Sequence, residues 1–285
     1  MRSIGLALGC LVVFSGALLA QQLPLEPPKQ FGTSITGAFE GWFDNPDGSH
    51  SFLVGYLNRN RSREVDIPIG PENEIEPGGP DRGQPTHFLP GRQWGMFVVT
   101  VPKEFSADQR LVWTIIVNGQ SNSIPLHRHP DYNISPLIDA SSNTPPVVRF
   151  EERGAEIQGP IGNVAAAINR TTSVSAPMPL SVWVTDDMKY TTDTNAPMRA
   201  SRPPVTLVFT KYRGTGTVTF DPAKVNAERL PGGTAAFYGK GTTTVKFSEP
   251  GEYMLQVTAN DYSGVGGLGF QCCWTTAIVR VAVTR

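Results

Sequence analysis

The stretch Phe247-Ser-Glu-Pro-Gly-Glu-Tyr253-Met-Leu-Gln-Val257-Thr-Ala-Asn-Asp261 decides how this chain is read. Pro250-Gly251 is turn chemistry. Beyond it Tyr253, Leu255, Val257 and Ala259 alternate with Met254, Gln256, Thr258 and Asn260, the period-two pattern of a strand with one face inward and the other outward. Tyr253, at the strand start, is placed to tie the preceding connection through its hydroxyl as a tyrosine corner, and Asp261 to cap the following loop. The closing run Thr276-Ala-Ile-Val-Arg-Val-Ala-Val283 alternates in the same way, with Ala277, Val279, Val281 and Val283 inward.

Upstream, Val147–Phe150, Pro179–Thr185, Val205–Thr210, Gly216–Phe220 and Thr242–Phe247 read as further short strands separated by turns. Short strands without helical periodicity between them specify an antiparallel sandwich, not a parallel sheet. Asn163-Val-Ala-Ala-Ala-Ile168 alone leans helical, and it is too short to stand as an independent helix.

The first half obeys the same grammar. Gly37–Phe43, the turn Asn45-Pro-Asp-Gly48 and Ser51–Leu57 form a hairpin. Glu64–Ile69 reads as an edge strand because Pro68 cannot donate to a ladder. Gly70–Arg92 reads as a long surface loop. Trp94–Val101 and Leu111–Val117 resume the strands, and Asn118-Gly119 sends Gln120–Leu126 back antiparallel. The fold class is therefore all-β: two antiparallel β-sandwich domains in tandem, the second immunoglobulin-like. The expected organisation is a signal peptide over 1–20, a Pro-rich spacer over 21–30, a first sandwich over 31–130, a linker over 131–146 and a second sandwich over 147–285.

The segments Pro204–Gly214, Gly216–Pro222, Thr243–Tyr253 and Val257–Asp261, in that order, resemble PKD-like and cadherin-like immunoglobulin-fold modules of bacterial exported proteins, over Thr144 to Arg285. The resemblance implies a fold and no ligand. Two stretches depart from it: the loop Tyr262–Phe270, and Gln271-Cys-Cys-Trp274. The first half is similar only to uncharacterised exported bacterial proteins.

Met1-Arg-Ser, the apolar run Ile4–Leu19 and Ala20 before Gln21-Gln22 have the layout of a cleaved secretory signal, with cleavage near Ala20 and a secreted or periplasmic product. The apolar run continues beyond Cys10, which argues against lipidation there. The chain carries 24 Lys+Arg and 25 Asp+Glu, and 29 Gly with 25 Pro. Loss of Arg2 with the leader makes the net charge 23 − 25 = −2. A near-neutral chain with no basic cluster has no footprint for nucleic acid, and no later segment is apolar enough for a transmembrane helix in the mature chain.

Candidate chemistry is sparse. Cys272 and Cys273 are open to three states: buried thiols, a vicinal disulfide, or an intermolecular bridge. His127 and His129 with Asp131, and distant His87, are metal-ligand types in too small a number to make a site. Asp186-Asp187 with Asp193 offer hard oxygen ligands of the kind calcium takes, or solvated turn carboxylates. No nucleophile elbow, HExxH, phosphate loop or CxxC occurs, so no catalytic residue and no cofactor is assigned. Asn60, Asn133 and Asn169 match glycosylation acceptors.

Three readings follow. The first is an exported non-enzymatic protein engaging an envelope or extracellular protein or glycan. The second is a carbohydrate-binding accessory protein with a stacking platform among Trp42, Trp94 and Trp113, and the third a secreted enzyme with its site near His87 in the Gly70–Arg92 loop.

Overall fold

The computed structural model describes residues 29–160, 167–189, 203–264, 266 and 271–285. The signal peptide, all but the end of the spacer, Asn163 to Ala166 of the helical-leaning stretch, and Asp193 lie outside the described residues. The first half forms β1 (Ile35–Asp44), β2 (His50–Asn58), β3 (Val65–Asp66), β4 (Asn73–Glu76), β5 (His87–Phe88), β6 (Gly91–Val101), β7 (Arg110–Val117) and β8 (Gln120–His127). Sheets β1-β2-β6 and β4-β7-β8 are both antiparallel, and β3 pairs with β5. The first hairpin closes as read, Gly48 N donating to Asn45 O at 2.9 Å. Asn118 and Gly119 both take positive φ, the conformation a two-residue hairpin turn needs. Leu111, Trp113 and Ile115 are buried while Val112 is exposed, as alternation requires.

The Gly70–Arg92 segment is not a surface loop. It contributes β4 and β5 and buries Asn73, Ile75, Gln84, His87 and Phe88. Asn73 is the reason the chain turns inward there: its amide donates to the Ile67 and Pro85 carbonyls, and its Oδ1 accepts from Trp113 Nε1 at 3.0 Å. Of the expected strand Glu64–Ile69, only Val65–Asp66 pairs.

The second half forms β9 (Val147–Arg149), β10 (Ile157–Gln158), β11 (Ile168–Ser173), β12 (Met178–Asp186), β13 (Thr206–Arg213), β14 (Val218–Asp221), β15 (Lys224–Asn226), β16 (Glu228–Arg229), β17 (Phe237–Phe247), β18 (Gly251–Asn260) and β19 (Trp274–Thr284). One sheet runs β10-β9-β12-β17-β14 with β16 beside β17, and the other β11-β19-β18-β13-β15. This is the strand arrangement of an immunoglobulin sandwich. Among the described residues one pairing between named strands is parallel, β11 with β19, and it was not legible in the sequence. The tyrosine corner is present: Tyr253 Oη donates to Glu249 O at 2.8 Å. Gly214, at φ +136, lies where a Cβ would overlap the Tyr253 ring.

Each sandwich has its own core, and the second core contains the inward set of β18 and β19. The outward face of that same sheet is also covered. Tyr212 of β13 and Ile278 of β19 belong to the first sandwich's core, with Met254 of β18 packed against it. Residues 131–146 are packed as well. A 3-10 turn at Pro130–Tyr132 leads to Ile134, whose N–H donates to Trp42 O at 2.9 Å, and Asn143 is fully buried.

Candidate ligand-binding cleft between the sandwiches

The cleft begins with an irregularity in β6. Val54 pairs with Phe97 and Tyr56 with Gln93, so Trp94, Gly95 and Met96 together stand opposite Gly55. The extra residues bulge towards the second sandwich and leave a backbone amide without a ladder partner. Glu40 takes it: Oε2 accepts from Gly95 N at 2.9 Å, while Oε1 pairs with Arg92 Nη2 at 2.6 Å. Gly55 is required here, because a Cβ would meet Glu40 Oε1, Gln93 O and the Arg92 guanidinium. Burial raises the Glu40 pKa, with Arg92 and the Gly95 amide opposing it. The Arg92 guanidinium also stacks over Trp94, 3.9 Å from the ring centroid.

The bulge docks on β18 and β19. Gln256 Nε2 donates to Met96 O at 2.6 Å. The Trp274 indole lies against Gly95, whose φ is +47 and where any Cβ would overlap the ring. Further along, Arg213 forms a bidentate pair with Asp81 at 2.8 and 2.9 Å, Tyr212 Oη donates to Gly83 O, and Lys211 Nζ lies 3.1 Å from Asp66. Between these contacts is a cavity of about 260 Å³. Leu89, Trp94 and Met96 wall it on the first sandwich, and Val208, Gln256, Thr258 and Trp274 on the second. Gln256 and Trp274 are each 1 % exposed, and among the described residues Gln256 Oε1 and Trp274 Nε1 have no hydrogen-bond partner. A buried polar atom without a partner costs about 1–3 kcal/mol.

The residues singled out in sequence scatter around this feature. Trp42 and Trp113 are core residues, so of the three tryptophans only Trp94 reaches the cleft. His87 is buried between Asp66 at 2.8 Å and Glu64 at 3.2 Å. Burial raises the Asp66 pKa, but hydrogen bonding and charge from His87 and Lys211 outweigh it and leave the carboxyl below its ordinary value. His87 thus belongs to an ionic network joining the two halves. His127 packs on Phe39 and Tyr132 at ring distances of 5.1 and 5.2 Å, and His129 lies 3.6 Å from Asp131. Burial, then the positive charges of Arg110 and His129, push the His127 pKa down. Among the described residues no group of three or more His, Cys, Asp or Glu side chains is arranged to hold a metal. Asn60 is fully buried with its side chain bonded to Thr33 and Asn58.

The carboxylates at the ends of β12 and β18 do converge on the linker. Asn143 Nδ2 donates to Asp261 Oδ2 at 2.6 Å, Thr144 donates to Asp187, and Asp261 caps its loop through Ser263 N at 2.8 Å. Among the described residues Asp186 Oδ2 has no hydrogen-bond partner. Burial, with the negative charges of Asp261 and Asp187 adding to it, pushes the Asp186 pKa up to about 7 against the Met188 N–H.

Cys272 and Cys273 are both buried and their sulfurs are joined in the structure. Both precede the start of β19 at Trp274, and Cys273 Sγ lies 3.4 Å from Asn143 O.

No family model matches the chain, and no curated protein matches it. Among solved structures, the D00-D0 domain of intimin aligns with a TM-score of 0.25 and 11% identity over 87% of this chain and 100% of that one. A protein of unknown function from Porphyromonas gingivalis W83 gives 0.24 and 6% over 88% and 100%. The titin fragment A168169 gives 0.22 and 10% over 87% and 99%.

Proposed function

We propose that this chain is an exported, non-enzymatic binding protein, acting at the cell envelope or outside the cell, whose ligand lodges between its two sandwiches. The observation that supports it is the cleft behind the β6 bulge, walled by both halves and lined by two buried side chains with unmet hydrogen-bonding atoms. Such sites, concave and mostly apolar with a few polar groups, are where ligands bind. The described residues lining it include no carboxylate, histidine, lysine or cysteine to act as acid or base or to activate the Thr210 and Thr258 hydroxyls, which favours binding over chemistry. Export follows from the leader-like N-terminus, and in an oxidising compartment adjacent Cys272 and Cys273 form a vicinal disulfide.

The test is retention of the purified protein on isolated cell envelopes and extracellular polymer, compared with Thr258→Trp, which fills the cleft from a half-exposed strand position. The variant loses retention while the wild type keeps it. Equal retention of the two proteins, each folded, rejects the cleft as the binding site. Mature protein beginning after Ala20, with no thiol alkylated at Cys272 or Cys273 before reduction, supports the compartment. An unprocessed, fully alkylated chain counts against it.

A further inference from the structure

We infer that the cleft takes a neutral carbohydrate, one sugar ring held among apolar side chains and neutral amides and hydroxyls drawn from both sandwiches; this rests on the binding-protein reading above. None of the described residues lining the cleft has a charged side chain. An ionic ligand would enter without a counter-charge and bear the desolvation cost of an unpaired ion. Arg92, next in sequence to Gln93 of the lining, is already committed to Glu40 and to the face of Trp94.

What remains is of two kinds. Leu89, Trp94, Met96 and Trp274 offer apolar surface, and Gln93, Thr210, Gln256, Thr258 and Asn260 offer neutral donors and acceptors. A sugar ring is likewise of two kinds, with C–H groups on its faces and hydroxyls around its rim. A purely apolar molecule would leave the amides and hydroxyls unmet.

Two enclosed atoms of the lining side chains add to this. Just beneath the cleft surface, Gln256 Oε1 lacks a donor and Trp274 Nε1 lacks an acceptor among the described residues. The Gln256 amide cannot relieve this by turning over, because its Nε2 is held by Met96 O at 2.6 Å. A hydroxyl is donor and acceptor at once, whereas a carboxylate only accepts and an ammonium only donates. The cavity of about 260 Å³ is at the small end of ligand pockets, which suits a single ring.

The experiment titrates isotopically labelled full-length mature protein with the methyl glycosides of glucose, galactose, mannose and N-acetylglucosamine, and separately with cyclohexanol. The indole N–H resonances of Trp94 and Trp274 and the side-chain amide of Gln256 report the cleft, and those of Trp42 and Trp113 report the core. At least one glycoside is expected to shift the first set and not the second, with affinity falling about tenfold or more in Thr258→Trp and severalfold in Thr210→Val, which removes a hydroxyl without filling space. Shifts that persist unchanged in Thr258→Trp overturn the inference. If cyclohexanol moves the cleft resonances and no glycoside does, the sugar class is wrong and the binding cleft stands. If neither moves them, the binding reading fails with it.

Discussion

At Asp186 the structure keeps a carboxyl where it is reluctant to ionise. Its folded pKa is raised to about 7 from an unperturbed 3.8, with burial as the main cause. A raised pKa means the folded state holds the proton more tightly than the unfolded state does. The associated stability is full below pH 4 and is lost as pH rises through 7. Asp261, also raised chiefly by burial, acts in the same sense. Asp186→Asn removes the main contribution: in urea unfolding, its advantage over the wild type grows by about 2–3 kcal/mol between pH 5 and pH 8. An advantage independent of pH would show that Asp186 ionises normally. Tyr253 makes a plainer case. Tyr253→Phe leaves Glu249 O without its donor and lowers stability by about 1 kcal/mol with the fold intact. A change within the error of the urea midpoint would demote the corner to packing alone.

Among the elements, β6 carries the most consequence for its length. Its first and last residues pair with β2 as an ordinary antiparallel strand, and only the Trp94–Met96 bulge departs from the ladder. The departure is held by Glu40, a charged residue in the middle of β1 that sequence alternation alone could only treat as solvent-facing. Gly95 is the position that tolerates no substitution, combining positive φ with the Trp274 ring at the place of a side chain. Gly95→Val should destabilise the docking of the two sandwiches by about 3 kcal/mol or more. It should also shift Trp274 fluorescence to the red, and an unshifted spectrum with wild-type stability would refute the contact.

On the scale of the whole molecule, the two sandwiches behave as one unit. Tyr212 and Ile278 are 1 % and 2 % exposed and lie in the first sandwich's core although they belong to the second sandwich. Burying side chains of that size contributes about 1.5–3 kcal/mol each. Heat or denaturant should therefore unfold the mature chain in a single transition seen alike by Trp113 in the first half and Trp183 in the second. Ile278→Ser should split it into two. Two transitions already present in the wild type would mean that the halves are only loosely joined.

How much could be read in advance follows from the same geometry. The hairpins at Asn45–Gly48 and Asn118-Gly119, the inward set on β18 and β19 and the tyrosine corner were legible because turn chemistry and alternation are local properties of the chain. The Gly70–Arg92 segment reads as a loop because Pro and Gly hide two short strands, and the side chain that anchors them, Asn73, gives no apolar signal. Strand β11 leaves no mark in the sequence because it has no strong alternation, and its parallel partner lies more than a hundred residues away in β19.

The sequence by itself determined the all-β class, the immunoglobulin-like second half and the inward set of β18 and β19, since those depend on the period of one strand at a time. The cleft was decided only by tertiary structure. Gln256, Thr258 and Trp274 look outward in their own sheet, and nothing local says that a second sandwich, advanced by a bulge on a buried Glu40–Arg92 pair, covers that face and leaves a gap.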